Sequence, residues 1–197
     1  MAGQPVKEAK KALRKRVTAA RKALMESYRA AASRRMLTVL FGLPAYQRAK
    51  TVFLYASMPD EVQLYDLMKQ ALADGKTVCL PLITGKGTME AVAFSSLKDL
   101  VTGEYGILTV DKSKRKLVSP SDIDLIVVPG AAFDRAGGRL GLGAGFYDRF
   151  MTEKAPQGYR CALAFSCQLV ETVPMEPHDA AVQYIITEDE NFAVNVK

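Results

Sequence analysis

The chain has few of the residues from which enzymes most often build a nucleophile or a metal site. It contains one histidine, His178, and three cysteines. A single histidine leaves no good candidate for a Ser-His-Asp or Cys-His nucleophile. Cys79, Cys161 and Cys167 lack the paired spacing of a metal site, and the first two lie in apolar, strand-like runs. We therefore expect buried, reduced thiols and a cytoplasmic protein.

Long apolar segments are lacking as well. No apolar run approaches the roughly 20 residues that a membrane-spanning helix needs. The charged N-terminal stretch does not resemble a signal peptide. We therefore expect no membrane association. A length of 197 residues suits one domain that spans 1–197, and we expect this domain to be a monomer.

The positive charge of the chain is concentrated at one end. The formal net charge is +6, yet residues 1–35 contain eleven Lys and Arg against two acids, so the rest of the chain is net negative. Such a basic segment could bind an RNA backbone or the phosphates of a small ligand. The sequence has no RNA-binding fingerprint and no aromatic residues interleaved with the basic ones. We therefore expect a small-molecule ligand and no nucleic acid, and we keep RNA binding as an alternative.

The order of predicted elements begins with two helices. An apolar stripe at three- and four-residue steps predicts the first, and it consists of Val6, Ala9, Leu13, Val17, Ala20 and Leu24. The second helix is predicted over 28–41, before Gly42 and Pro44. Strand, helix and strand patterns then follow over 51–56, 64–73 and 77–82. They form one β-α-β unit, which implies a parallel pair of strands.

The remaining pattern completes an α/β fold. Further strands are predicted over 89–94, 123–128, 159–165 and 182–187, with a helix near 146–152. Residues 99–120 are expected to be an exposed connection, because turn residues and charges interrupt any pattern there. We predict a three-layer, Rossmann-like α/β sandwich with a mostly parallel central sheet and two N-terminal helices packed on it.

A glycine-rich segment follows the predicted strand over 123–128. Residues 137–149 read GGRLGLGAGFYDR, with three alternating glycines between Arg139 and Asp148. Alternating glycines let backbone N–H groups approach an oxyanion, an arginine adds a planar charge, and an aspartate offers a hard oxygen ligand for magnesium. Ligands of open α/β sheets bind outside the carboxyl ends of the strands, where this segment falls. The competing interpretation is a tight strand-to-helix turn, since neither the Walker nor the dinucleotide spacing is present.

The same region resembles the signature of a known enzyme family. Residues 129–149, PGAAFDRAGGRLGLGAGFYDR, resemble that of the 5-formyltetrahydrofolate cyclo-ligases, also called 5,10-methenyltetrahydrofolate synthetases. Other segments resemble the family in the same order, namely KKALR at 10–14, YASMPDEV at 55–62, LAF at 163–165, a Pro-x-x-x-His-Asp turn at 174–179 and IITE at 185–188. The resemblance thus extends over nearly the whole chain. It implies ATP-dependent conversion of 5-formyltetrahydrofolate to 5,10-methenyltetrahydrofolate, with release of ADP and phosphate.

The resemblance also implies roles for individual residues. Lys10 and Arg14 would contact the phosphates of ATP, and a loop would wrap the triphosphate through Arg139, Leu140, Gly141, Leu142, Gly143, Ala144, Gly145, Phe146 and Tyr147. The folate would be bound by Ala56, Glu61 and the loop residues Leu142, Gly143, Ala144, Gly145 and Phe146. Asp148 and Asp179 would hold Mg²⁺, and Tyr105 would stack on the pterin. No residue is assigned as a catalytic group; Arg139, Tyr147 and Asp148 would position the reactants.

Several of these residues also have a purely structural interpretation. Lys10 and Arg14 could be solvated positions on a basic helix. The acidic pair Asp60 and Glu61 could cap the helix that follows, since carboxylates favour helix N-termini. We expect His178 to be a turn residue rather than a ligand, and Arg149 to be the counter-charge of Asp148.

The chain departs from the family pattern at a few positions. Ala144 stands where some relatives carry a lysine, and Gln63, Val110 and Gln183 replace residues that are common in the family. None of these departures removes a residue assigned to ATP or to the metal, but they leave folate specificity less well supported. They motivate a second hypothesis, a paralogue that keeps the ATP site and has a different or lost folate substrate.

Overall fold

The computed structural model describes residues 3–103 and 107–194. Its helices are α1 (Gly3–Ala23), α2 (Glu26–Gly42), α3 (Pro44–Arg48), α4 (Tyr65–Ala73) and α5 (Phe146–Arg149), the last continued by a π-helical turn (Phe150–Lys154). Its strands are β1 (Thr51–Phe53), β2 (Thr77–Gly85), β3 (Thr88–Phe94), β4 (Leu100–Thr102), β5 (Leu108–Val110), β6 (Lys116–Val118), β7 (Leu125–Val128), β8 (Ala132–Asp134), β9 (Arg139–Leu140), β10 (Tyr159–Leu163), β11 (Leu169–Val170), β12 (Tyr184–Ile186) and β13 (Asn191–Ala193). Tyr105, the residue predicted to stack on a pterin, lies outside the described residues.

Most of the strands belong to one large sheet. Its order is β13-β12-β10-β7-β1-β2-β3-β6. The inner strands from β12 to β2 run parallel, while β13, β3 and β6 are antiparallel additions at the edges. β1, α4 and β2 form the predicted β-α-β unit with its parallel pair. Two smaller sheets, β11-β8-β9 and β4-β5, lie outside this large one.

Alternate residues of the parallel strands face opposite sides of the large sheet, and both sides are buried. Val52 packs with α2 and α4 on one side, and Phe53 packs with the turn after α5 on the other. Two-sided burial explains the continuous apolar runs of these strands and gives the three predicted layers. Cys79 and Cys161 lie on opposite sides as free, buried thiols, and burial raises the pKa of each to about 12.

The two N-terminal helices pack on the rest of the fold, as predicted. α2 buries Met36, Leu37 and Leu40 in the core. It ends where Leu43 becomes extended and donates its N–H to the carbonyl of Leu40. Pro44 then begins α3, because the first helical position needs no hydrogen bond from its nitrogen.

The buried face of α1 differs from the predicted apolar stripe. Ala9 and Ala20 of that stripe are exposed, whereas the buried residues of α1 are Lys10, Val17 and Arg21. Lys10 and Arg21 pair with acidic residues of two turns, whereas Leu13 and Val17 pack against an apolar cluster that includes Leu140 and Val173. The buried face of α1 is therefore partly cationic and partly apolar.

Three shorter segments also differ from the sequence prediction. The connection over 99–120 contains a hairpin of β4 and β5, and β6 pairs with β3 at the sheet edge. Each of these strands has only three residues, which is too few to establish a period in the sequence. The helix near 146–152 is α-helical for one turn only, and the strand over 51–56 leaves the ladder after Phe53.

Candidate functional site

Three loops meet at the carboxyl ends of the parallel strands. One loop follows β1 and leads to α4. A second follows β7 and contains β8, β9 and residues 141–145 (the glycine loop). The third is the turn over 166–168, which follows β10. α1 lies across them and contacts this turn and β8. The candidate residues therefore gather at the edge where α/β folds bind their ligands.

The face of α1 that points toward these loops carries cations. Lys10 Nζ lies 2.5 Å from Asp179 Oδ2 and 2.7 Å from Glu176 Oε2. Arg14, one turn further along α1, donates its Nε–H to the carbonyl of Gly141 at 2.8 Å. Burial lowers the pKa of Lys10, but the two carboxylates outweigh this effect and raise it above its usual value. Neither side chain is an ordinary solvated position on a basic helix.

The glycine loop presents unpaired backbone donors. Within the described parts of the chain, no N–H group of residues 141–145 donates a hydrogen bond to another residue. Gly143 has a φ of 116°, which a residue with a side chain adopts only with strain. Leu142, at the tip, is 58% exposed. N–H groups without a protein acceptor, on a loop bonded to Arg14, are suited to bind an anion.

A buried ion pair joins the base of the glycine loop to α5. Arg139 is 3% exposed and donates from Nη2 to Asp148 Oδ1 and from Nη1 to the carbonyl of Pro129 at 3.1 Å. Asp148 Oδ1 also accepts the N–H of Ala180 at 3.0 Å. The Nε of Arg139 is buried without a partner among the described residues. Arg139 is therefore the counter-charge of Asp148, and one of its donors is available to a ligand.

Arg149 does not neutralise Asp148, so that prediction is wrong. Its guanidinium donates to the carbonyl of Gly87 at 2.7 Å and to the carbonyl of Ala144 at 2.8 Å. It lies on the exposed side of α5, whereas Arg139 approaches Asp148 from the protein interior. Arg149 thus connects the β2–β3 hairpin to the glycine loop and places a cation beside Ala144.

The hairpin that carries Arg139 is supported by a residue that sequence reasoning did not select. Asp134 is buried, and its Oδ1 accepts the N–H groups of Ala136 and Gly138 at 2.9 and 2.8 Å. Its Oδ2 accepts the N–H of Val173 at 2.8 Å. A Cβ on Gly138 would lie 2.4 Å from Oδ2, so this turn requires glycine. The signal was present in the sequence as an aspartate before a Gly-Gly pair, a common turn pattern.

Glu61 lies in the acidic turn (residues 57–62) after β1, and its side chain is buried. Its Oε2 accepts the N–H of Met58 at 2.9 Å, and its Oε1 lies 3.8 Å from Arg21 Nη1. Asp60 Oδ2 accepts two hydrogen bonds from Arg21. The capping interpretation is wrong, because α4 begins after Leu64 without a side-chain cap. Burial raises the pKa of Glu61, although the Met58 amide and Arg21 favour its ionised form.

Two tyrosine hydroxyls lie near this carboxylate. The Tyr147 hydroxyl is buried without a hydrogen-bond partner among the described residues, and the Tyr55 hydroxyl donates to the carbonyl of Val62 at a long 3.4 Å. Burial, followed by the charge of Glu61, raises the pKa of both hydroxyls, so they remain neutral donors. Tyr147 also packs against Phe53 in the core. A buried donor without a partner beside a carboxylate indicates a site for a polar ligand.

The two carboxylates predicted to hold magnesium are held by different cations. Among the described residues, the side chains that could share one ion are Glu176, His178 and Asp179, with ligand atoms within 4.8 Å of one another. Asp148 is not in this group, and Lys10 bonds two of its members. Asp148 and Asp179 each have one carboxylate oxygen that accepts no hydrogen bond in the described part of the chain. These open oxygens fit a hard cation that retains water ligands.

The structure thus brings the predicted residues together mainly as pairs. Lys10 meets Asp179, Arg14 meets Gly141 and Arg139 meets Asp148. Ala56 and Glu61 are buried in the loop after β1, and Leu140 is buried below the glycine loop. Gly145 and Phe146 are half-buried, and Leu142, Gly143 and Ala144 are exposed.

The sequence prediction missed Arg21. Its spacing from Lys10 and Arg14 places it on the same face of α1, and a helical wheel would have found it.

Comparison with known proteins identifies the family. The model of the 5-formyltetrahydrofolate cyclo-ligase family matches residues 6–188. The chain belongs to this family. An NMR structure of 5,10-methenyltetrahydrofolate synthetase from Aquifex aeolicus matches with a TM-score of 0.83 and 33% identity, over 94% of this chain and 93% of that one. The cyclo-ligase of Escherichia coli (strain K12) is 31% identical over 79% of this chain and 85% of its own. That of Mus musculus is 27% identical over 96% and 98%.

These comparisons confirm the resemblance and the fold class predicted from the sequence. In the two described ranges, no helix is both long and apolar enough to cross a membrane.

Proposed function

We propose that the protein is an ATP-dependent cyclo-ligase that converts 5-formyltetrahydrofolate to 5,10-methenyltetrahydrofolate and releases ADP and phosphate. One observation carries the proposal: the glycine loop, whose backbone N–H groups have no acceptor among the described residues, and the buried Glu61 carboxylate lie near Tyr147, whose hydroxyl is buried without a partner in the same part of the chain. The first suits a triphosphate, and the second suits the polar edge of a pterin. Membership in the cyclo-ligase family supports the same assignment.

The chemistry explains why both ligands must meet. An N-formyl group is a poor electrophile, and its oxygen is a poor leaving group. Transfer of the γ-phosphoryl group of ATP to the formyl oxygen releases ADP. It makes the formyl carbon more electrophilic and turns its oxygen into a good leaving group. N10 then attacks the formyl carbon and loses its proton, and phosphate departs with the former formyl oxygen as the ring closes. Phosphoryl transfer of this kind needs positioning and charge stabilisation rather than a protein nucleophile.

The cations around the glycine loop would bind the triphosphate. Arg14 uses its Nε on Gly141, which leaves the two terminal nitrogens of its guanidinium for phosphate oxygens. The buried Nε–H of Arg139 and the N–H groups of residues 141–145 have no acceptor among the described residues, and we assign them to the phosphates. Lys10 would exchange part of its contact with Asp179 for a phosphate. Together these groups offset the charge of the transferring phosphoryl group.

Asp148 and Asp179 would hold the magnesium ion through their open carboxylate oxygens. When bound, the ion would shield the phosphate charges during transfer. Because Arg139 and Lys10 already neutralise these carboxylates, the site is balanced in charge without the ion. Arg139 and Lys10 would keep their contacts with the other oxygen of each carboxylate while the ion occupies the open one.

Glu61 would bind the pterin. The pyrimidinone edge of a tetrahydropterin presents neighbouring ring and amino N–H donors, which a carboxylate accepts as a pair. The hydroxyl of Tyr147 lies beside this carboxylate without a partner and would hydrogen-bond the same ligand. Ala56 and the glycine-loop segment Leu142–Phe146 would form the walls of the folate site.

Two of the departures from the family pattern have structural roles. Gln63 Nε2 donates to the carbonyls of Met58 and Glu61 at 2.9 and 2.8 Å, which holds the acidic turn in place. Gln183 Oε1 accepts the N–H of Arg160 at 2.8 Å, between β10 and β12. Neither contact argues for a changed substrate.

Absorbance of the methenyl product tests the proposal. Purified protein with 5-formyltetrahydrofolate, ATP and Mg²⁺ should form this chromophore, and omission of any one of the three should abolish it. A flat trace from protein that binds ATP would instead support the paralogue with a changed substrate. RNA affinity that falls steeply with salt would support the nucleic acid alternative. A cytoplasmic location and a monomeric state remain predictions, which fractionation and light scattering would check.

A further inference from the structure

Arg21 is a buried cation that the roles above do not use. It is 4% exposed, although most of its neighbours on α1 face solvent. Burying a guanidinium is unfavourable unless it is paired and hydrogen-bonded. A lysine or arginine with no role is therefore expected at the surface of a helix rather than under it.

One guanidinium contacts both carboxylates of the acidic turn. Nε and Nη2 of Arg21 donate to Asp60 Oδ2 at 3.2 and 2.8 Å, and Nη1 lies 3.8 Å from Glu61 Oε1. The planar, multi-donor fork of arginine makes this geometry, and the single ammonium of lysine does not. Arg21 therefore sets where the Glu61 carboxylate lies relative to Asp60.

We infer that Arg21 is a positioning residue for the folate: it holds Glu61 in place and in its charged form, and it joins the acidic turn to the helix that carries Lys10 and Arg14. The inference rests on the proposed function of Glu61 as the pterin ligand. It adds a link between the two halves of the site. The helix α1 would contact the triphosphate through Lys10 and Arg14, and it would contact Glu61, the residue that binds the folate, through Arg21.

The groups around Glu61 make its charge depend on Arg21. Burial raises the pKa of Glu61, the Met58 N–H and Arg21 lower it, and the charge of Asp60 raises it. Tyr55 from the loop after β1 and Tyr147 from α5 also lie near Glu61, and both remain neutral because their own pKa values are raised. Loss of Arg21 therefore moves the ionisation of Glu61 to higher pH, and loss of the Asp60 charge moves it to lower pH.

The test is the pH profile of the KM for 5-formyltetrahydrofolate in opposed variants. Folate binding should be lost as pH falls through the pKa of Glu61. In Arg21→Gln this midpoint should move to higher pH, and the KM at neutral pH should rise about tenfold with kcat much less affected. In Asp60→Asn the midpoint should move to lower pH. Arg21→Lys should restore the midpoint but not the full affinity, since it keeps the charge and loses the fork.

Arg16→Gln is the matched control, because Arg16 is an exposed arginine on the same helix. A merely structural Arg21 would lower thermal stability in its variants and leave the Arg21→Gln midpoint at the wild-type pH, which would overturn the inference. If Arg21→Gln does not fold, Arg21→Lys carries the test, because a raised folate KM at an unchanged midpoint supports the inference and a wild-type KM overturns it. Carbon-13 NMR titration of the Glu61 carboxyl measures the same shifts without turnover. A wild-type protein without cyclo-ligase activity would therefore refute the proposed function and still leave Arg21 testable.

Discussion

The Arg139–Asp148 ion pair allows a quantitative prediction. The two side chains are 2% and 15% exposed, and Asp148 has, besides Arg139, a single hydrogen bond from Ala180 N in the described chain. In Arg139→Met the largely buried Asp148 carboxylate loses its counter-charge. Breaking a buried pair in this way costs about 3–5 kcal/mol, a large share of the roughly 5–15 kcal/mol that stabilises a typical domain. For a domain of this size, we expect the Tm to fall by about 6–20 °C.

Urea unfolding of four proteins tests this reasoning: wild type, Arg139→Met, Asp148→Leu and the double variant. Replacing both partners by apolar side chains removes the uncompensated charge, so the double variant should recover much of the lost stability. It should remain inactive, because Arg139 is also proposed to bind phosphate. Simple additivity of the two losses, or a Tm for Arg139→Met within about 2 °C of wild type, would show that the pair is not the stabilising contact described here.

Three further predictions concern the proposed ligand contacts. Gly143 has a φ of 116°, so Gly143→Ala should strain the glycine loop by about 1–3 kcal/mol and weaken ATP binding measured by calorimetry. The control Ala144→Gly should not weaken it. Equal ATP affinities of the two variants would argue against a triphosphate bound by this loop. Lys10→Met should raise the KM for ATP about tenfold, with exposed Lys11→Met as the control, and an effect on folate alone would contradict the assignment. Glu61→Gln should raise the folate KM. The pKa of Glu61 is raised in the folded state, so the charged form of Glu61 lowers the stability of the protein above that pKa. The Tm of Glu61→Gln should therefore match or exceed that of wild type at neutral pH, and it should show no gain at acidic pH. A Tm below that of wild type at neutral pH would refute this.

The parallel core of the fold was predictable because its signal is local. β2, β7 and β10 contain apolar runs, and residues 78–80, 125–128 and 161–163 of these strands are buried on both faces of the sheet. β8, β9 and β11 were not predicted, since two or three residues are too few to establish a period. Their existence depends on pairing between segments far apart in sequence, such as Leu169 with Phe133.

Within the site, the sequence located the glycine loop but not the partners of its charges. Arg139 and Asp148 were both selected, yet their mutual bond was not predicted, because Arg149 is the nearer cation in sequence. Arg21 was missed for a similar reason. The helical spacing of α1 places Arg21 on the face of Lys10 and Arg14, but its contact with Asp60 joins residues that are 39 positions apart, and the sequence does not indicate that partner.

The path of the formyl oxygen is the most direct test of the central claim. 5-Formyltetrahydrofolate labelled with oxygen-18 in the formyl group would be converted with ATP, and the released phosphate and ADP would be examined by mass spectrometry. Phosphoryl transfer to the formyl oxygen predicts one labelled oxygen in each phosphate and none in ADP. Unlabelled phosphate, with the label released to water, would contradict the proposed reaction.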